Sequence, residues 1–145
     1  MSVEKQDKVY TRKQMGDACE MLIAAELTLA GVPALKVPDN WPGYDVLAQP
    51  PQKKIERISV KSRTYKKGPA YLSYDANDVF DWLAIVILGN KESERNIYIV
   101  PRNVADKEAR KNKKGTKTET SRYWQLSEID SKFGKYLNNF SLKKI

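Results

Sequence analysis

The sequence predicts an α/β (α+β) domain in which a mixed central sheet is flanked by helices. Three observations predict it. Residues 11–30 repeat apolar side chains at three- and four-residue spacing and then meet Gly31 and Pro33, the pattern of an amphipathic helix with a stop. Residues 34–64 fall into short apolar runs punctuated by proline and glycine, as strands and turns do. Trp82 to Leu88 is an unbroken apolar run, which reads as a strand covered on both faces. A helix, three strands, then a strand pair and further helices make a layered domain.

Each element follows from local chemistry. Residues 1–10 are polar and mixed in charge, so they are expected as a loose arm and not as a signal peptide. In the first helix, Met15, Ala18, Cys19, Leu22 and Ile23 form the apolar stripe, while Gly16, Glu20, Ala24 and Leu27 share a neighbouring face. The small residues around Glu20 predict a close approach of helix to sheet there, with the carboxylate either at the rim of the stripe or aimed at a site. Ala34–Val37 is a short strand ended by Pro38, Asp39–Gly43 is a turn, and Tyr44–Ala48 is a second strand. Arg57–Thr64 is the third, with Ile58 and Val60 on one face and Ser59, Lys61 and Arg63 on the other. A basic loop, Tyr65–Pro69, leads to a short strand at Tyr71–Tyr74. After the Trp82 strand, Gly89–Asn96 is a hairpin loop returning through Ile97–Val100. Val104–Lys111 reads as a helix, Asn112–Thr120 as a basic loop, and Ser127–Asn139 as a final helix carrying Ile129, Phe133, Tyr136 and Leu137.

Composition narrows the function classes. The chain has no histidine and one cysteine, Cys19, which excludes an internal disulfide, zinc sites and histidine-based triads and fits a reducing, cytoplasmic setting. No run approaches the roughly 18 apolar residues of a membrane span. A single domain over 1–145 is expected, since this length buries a core unaided. The net charge is +8, from 26 Lys and Arg against 18 Asp and Glu. Residues 1–60 balance, so the whole excess lies in residues 61–145. A basic field on one part of a domain suits a polyanionic partner, although a basic surface also serves solubility alone.

The residues left for chemistry are carboxylates, lysines and hydroxyls. Asp45 follows the turn Trp41-Pro42-Gly43-Tyr44, and Ser59-Val60-Lys61 lie on the next strand. Alternation along that strand turns residues 59 and 61 toward one site. Phosphodiester hydrolysis near neutral pH calls for a hard cation held by a few carboxylate oxygens and a fixed positive charge near the reacting phosphate. Each residue also has a plain structural reading: Asp45 as a turn stabiliser, and Lys61 as the solvated face of an edge strand.

Pro-Gly-Tyr-Asp-Val (42–46) and Ile-Ser-Val-Lys-Ser-Arg (58–63), preceded by a helix bearing Glu20, together resemble the PD-(D/E)xK nuclease superfamily, in particular its Holliday-junction-resolvase-like branch. The resemblance covers roughly residues 11–100. It implies a restriction-endonuclease-like αβββαβ core and a Mg²⁺- or Mn²⁺-dependent hydrolase acting on double-stranded or branched DNA, in repair, recombination or mobile-element biology. It also implies Asp45 and Glu20 as metal ligands, Lys61 as the motif lysine, and a two-fold homodimer. Ser59 stands where the pattern has Glu or Asp, and a neutral hydroxyl is a poor ligand for Mg²⁺. Glu56 points to the opposite face unless a bulge intervenes, so Glu20, and less readily Asp39, would supply the missing charge.

Phosphate contacts are expected from Lys66 and Lys67 beside the lysine strand and from Arg110, Lys111, Lys113, Lys114 and Lys117 in the late loop. Trp41 and Tyr65 border the site. Trp41 reads first as a cover for the core and second as a surface for stacking unpaired bases. Two alternatives to an enzyme stand beside this: a catalytically inactive DNA-binding module of the same fold, and a subunit that docks an acidic partner through residues 110–117.

Overall fold

The computed structural model describes residues 9–89 and 94–145. Helix α1 (Arg12–Leu29) opens with a capping box, in which the Thr11 hydroxyl accepts from the Gln14 amide and the Gln14 side chain accepts from the Thr11 amide. It ends at Ala30, and Gly31 takes φ +94°, as the left-handed residue after a helix does. Cys19, Ile23 and Leu27 form its buried stripe. Gly16 is not the point of close approach, because a Cβ built there would meet nothing within 4 Å.

Strands β1 (Ala34–Lys36), β2 (Val46–Ala48), β3 (Glu56–Thr64), β5 (Trp82–Leu88) and β6 (Arg95–Pro101) form a mixed sheet in the order β1-β2-β3-β5-β6. Among the described residues only the β3–β5 pair is parallel, with Ile58 opposite Trp82 and Lys61 opposite Ile85. A second, antiparallel sheet runs in the order β4-β8-β7, from β4 (Tyr71–Asp75), β7 (Arg110–Lys111) and β8 (Ser121–Gln125). Helices α2 (Arg102–Glu108) and α3 (Ile129–Phe133) complete the chain.

Two cores result, one on each face of the larger sheet. α1 closes the first, where Cys19, Ile23, Leu27, Val46, Ile58, Trp82, Ala84, Val86 and Ile99 are buried. The smaller sheet closes the second, where Leu72, Tyr74, Phe80, Leu83, Ile85, Val100, Trp124 and Phe133 are buried. β5 therefore alternates between two cores and is covered on both faces, as its unbroken apolar run predicts.

Arg102 ties the second core to the turn ahead of β5. Its guanidinium donates to Asp106 and to the carbonyls of Ala76 and Asp78, and it lies 4.1 Å from the centroid of the Phe80 ring. At the start of β3 and β5, Asp81 accepts from the Arg57 backbone and from its guanidinium.

Two expectations need correction, and the sequence leaves one strand unassigned. The segment from Ser127 to Asn139 is not one helix: α3 spans five residues between two 3₁₀ turns, Leu126–Glu128 and Gly134–Tyr136. Gly134 weakens the helix, and Leu137 and Asn138 leave it to pair with Tyr98 and Ile97 of β6. The Asn139 amide is buried and donates to the Ile99 and Lys143 carbonyls. Second, the helix expected over Val104–Lys111 lies at Arg102–Glu108, so Arg110 and Lys111 belong to strand β7 and not to a helix end or loop. The unassigned strand is β8, which carries a single buried side chain among five, Trp124, too little alternation to register as a strand. The expected arm lies outside the described residues as far as residue 8, and so does the part of the β5–β6 hairpin at 90–93. No described helix is long and apolar enough to cross a membrane.

Candidate active site

The candidate residues collect where β2 gives out. β2 pairs with β3 only from Glu56 to Ile58, so β3 runs on toward Thr64 with no strand on that side. The turn before β2 closes on itself: the Val37 amide donates to the Asp45 carbonyl at 2.9 Å, and the Asp45 amide donates to Ile58 at 2.9 Å. The next ladder bond is made by a side chain, since the Val60 amide donates to Asp45 Oδ2 at 2.7 Å. Asp45 is thus held by one oxygen in the plane of the sheet, at the point where the pairing stops.

Glu20 reaches the same point from α1. Its carboxyl is pushed up to about 7, first by burial, then by the negative charge of Asp45, and further by a hydrogen bond between the two side chains. Lys36 opposes this, and Asp17 adds to it. A partly buried carboxyl that holds its proton to neutral pH beside a second carboxylate is a common preparation for a cation. The structure therefore brings Glu20 and Asp45 together.

Asp39 is committed elsewhere. It accepts from Lys36 at 2.7 Å and from Lys13 at 2.9 Å, and these partners hold its carboxyl well below the usual range. Lys13 also meets Asp17 one helical turn on. Glu56 sits opposite Ala48 in an uninterrupted register, so no bulge turns it toward Asp45.

Ser59 and Lys61 flank Val60. The alternation of β3 places Ile58 and Val60 toward α1 and Ser59, Lys61 and Arg63 toward the second sheet. Arg63 shows the direction by donating to the Tyr71 carbonyl at 2.6 Å. Ser59 is buried, at 3% exposure. Lys61 is half-buried and, among the described residues, has no carboxylate within ion-pair distance. Glu20, on α1, and Lys61 thus belong to opposite faces of the sheet. Among the described residues no cluster of three or more His, Cys, Asp or Glu side chains is placed to hold a metal ion. The acid set is the pair alone.

The basic residues divide. Lys66 and Lys67 are exposed on the loop that leaves β3. Lys113, Lys114 and Lys117 are exposed on the β7–β8 hairpin, whose tip is braced by Asn112 donating to Thr118 and by Glu119 accepting from the Gly115 amide. Lys111, Lys114 and Arg122 line a cleft of about 310 Å³ there, with Asn112, Glu119 and Thr120. Arg110 is paired to Glu128 at 2.8 Å, which makes it the least available of the predicted contacts. Arg122, which the sequence reading passed over, joins this group because β8 is a strand. Tyr65 packs against the second core. Trp41 is not a core cover: it is 47% exposed and touches Tyr44 edge-on.

No family model matches the chain, and no curated protein matches it. Among solved structures it is similar to the bacterial homing endonuclease I-Ssp6803I, at 17% identity with a TM-score of 0.53, over 78% of this chain and 89% of that one. It is also similar to Hjc, a Holliday junction resolvase from the archaeal hyperthermophile Archaeoglobus fulgidus, at 15% identity with a TM-score of 0.47, over 74% and 88%. At 17% identity the likeness is one of fold alone, a mixed α+β architecture shared with the homing endonuclease.

Proposed function

We propose that this chain is a metal-dependent DNA endonuclease that hydrolyses phosphodiester bonds at the open edge of β3. The observation that carries the reading is the Asp45 carboxylate fixed by the Val60 amide where the pairing of β2 with β3 stops, with Glu20 beside it and raised by burial and by the Asp45 charge. A fold shared with a homing endonuclease supports the same substrate class.

The pair suits a hard divalent cation, Mg²⁺ or Mn²⁺, which is content with one or two carboxylates and fills its remaining positions with water and phosphate oxygens. Glu20 and Asp45 would hold it, and when bound it supplies Lewis-acid activation of the phosphate and a more acidic water. The rest follows from the chain's own groups. The Val60 amide fixes Asp45 through Oδ2, and Oδ1 would be the oxygen offered to the cation. Lys61, without a carboxylate partner among the described residues, supplies positive charge toward the reacting phosphate. Ser59 contributes a neutral hydroxyl at most. Lys66, Lys67, Lys111, Lys113, Lys114 and Lys117 grip the phosphate backbone, with Arg110 secondary to them. Such contacts fix position without reading bases, which fits a structure-specific enzyme acting at junctions, flaps or ends.

The test is cleavage of plasmid, single-stranded and branched DNA with and without Mg²⁺ or Mn²⁺, alongside Asp45→Asn and Lys61→Ala. Metal-dependent cutting that both substitutions abolish is the expected result. A wild-type protein that binds DNA and cuts nothing would favour the second reading, an inactive DNA-binding module. The observation behind that reading is Ser59, buried and uncharged in place of a third acid.

A further inference from the structure

We propose that Trp41 is a stacking platform for an unpaired base of the substrate, so that the site engages DNA carrying a single-stranded or opened segment next to the cut. The inference rests on the nuclease reading of the Glu20–Asp45 edge and adds a substrate preference to it.

The chain has three tryptophans. Trp82 and Trp124 are buried to within 1% of completely, and each belongs to one of the two cores. Trp41 stands apart at 47% exposure. An indole left in water forgoes the burial that normally stabilises such a large side chain, so its position calls for another explanation.

Its loop is built to hold it still. The Val37–Asp45 hydrogen bond closes the loop at its base, and the Trp41 amide donates to the Pro38 carbonyl at 3.0 Å. Gly43 adopts φ +88°, and a Cβ there would come within 3.1 Å of the Val79 backbone amide. Only glycine lets the loop lie against Val79 in this way. Tyr44 anchors in the second core and presents its ring to Trp41 at 6.4 Å and 70°. One side of the indole is braced while much of its surface stays open.

Proximity to the acids sets the range. Trp41 lies four residues before Asp45, so their Cα atoms are no more than roughly 14 Å apart. At about 3.4 Å per nucleotide along a stacked strand, the platform serves a base within about four nucleotides of the bond to be cut. In an intact duplex both faces of each base are covered by its neighbours, and an indole outside the helix cannot stack. A single strand, fork or junction offers free faces.

The test uses the full chain in chelator, with matched duplex, single-stranded and forked oligonucleotides and acrylamide as collisional quencher. Because Trp82 and Trp124 are buried, the quenchable emission comes from Trp41, and Trp41→Phe supplies the blank. Single-stranded and forked DNA are expected to quench this emission and shield it from acrylamide, whereas duplex is not. Trp41→Ala should weaken single-stranded and forked binding about 5- to 100-fold and duplex binding less than about twofold, with Trp41→Phe recovering most of the loss. Circular dichroism reports whether Trp41→Ala is folded, and wild-type quenching with Trp41→Phe binding decides the matter if it is not. DNA that binds without altering Trp41 emission, or an equal loss for duplex and single strand, would overturn the platform and leave the nuclease reading standing. Failure to bind any DNA would overturn both.

Discussion

Replacing Glu20 by Gln should stabilise the protein at pH 8 while disabling it. Folding partly buries the Glu20 carboxyl and places it beside Asp45, and its affinity for a proton rises from an ordinary value of 4.5 to about 7. A raised carboxyl means that the folded state binds more protons than the unfolded chain between those values, so stability falls as pH climbs through the window. The cost is absent below pH 4.5 and complete above about pH 7. At face value it amounts to about 3.5 kcal/mol. Glu20 is only partly buried, so solvent screening leaves on the order of 1–1.5 kcal/mol. Glutamine keeps the size and removes the charge, and at this chain length the gain corresponds to a Tm rise of about 3–5 °C at pH 8. The assay is thermal denaturation of wild type and Glu20→Gln in chelator from pH 4.5 to 8.5, repeated with Mg²⁺. The difference in Tm should grow with pH, and Mg²⁺ should narrow it by stabilising the wild type more. A Glu20→Gln protein less stable than wild type at pH 8, or a difference that ignores pH, would show that burial beside Asp45 does not penalise the charged form of Glu20.

Lys61→Ala should cut metal-dependent cleavage at least about a hundredfold while leaving DNA affinity within a factor of about three, because one electrostatic stabiliser of the reacting group is lost; single-turnover cleavage and filter binding separate the two. Changing Lys113, Lys114 and Lys117 together to Gln should lower the slope of log K against log salt by roughly 2–3 if all three meet phosphates, measured by fluorescence anisotropy at several salt concentrations. Arg102→Ala should destabilise the fold by about 2–4 kcal/mol in urea denaturation, since the Ala76 and Asp78 carbonyls and Asp106 lose a charged donor at once. Ser59→Ala should leave cleavage within about threefold of wild type, as befits a hydroxyl that is not a ligand for a hard cation.

Much of the fold was legible because the strongest elements are specified locally. α1 has its capping box at Thr11 and its glycine stop at Gly31, and β5 is an apolar run that has no other use in a domain of this size. The second sheet was hidden. β7 is two residues long, and β8 gains its identity from pairing with β4 and from Trp124, contacts made across fifty residues of chain. The final helix misled because Ile129, Phe133 and Tyr136 keep helical spacing. Gly134 and the pairing of Leu137 with Tyr98 break it where tertiary contacts outweigh local preference. At the site, the sequence pointed to Asp45 and Glu20, and the structure places them in contact. It could not show that Glu20 comes from the face opposite Lys61, because the relative face of a helix and a strand is settled by packing. Nor could it show that Asp39 is held by two lysines, one of them twenty-six residues away.

The arrangement of β5 has a consequence for how this chain can diverge. Ordinary strands have one face on which substitutions are nearly free. Here Trp82, Ala84 and Val86 belong to one core and Leu83, Ile85 and Ile87 to the other, so no position is spare. Truncating any of the branched residues should cost about 1–4 kcal/mol, and enlarging Ala84 would overfill its core. A mutational scan should therefore show six intolerant positions in a row, with a second, shorter run at Ile97–Val100 of β6, which also alternates between the two cores. Descendants that lose the acids at the sheet edge, and with them any trace of a motif, would still carry that uninterrupted stripe as the surviving mark of common origin.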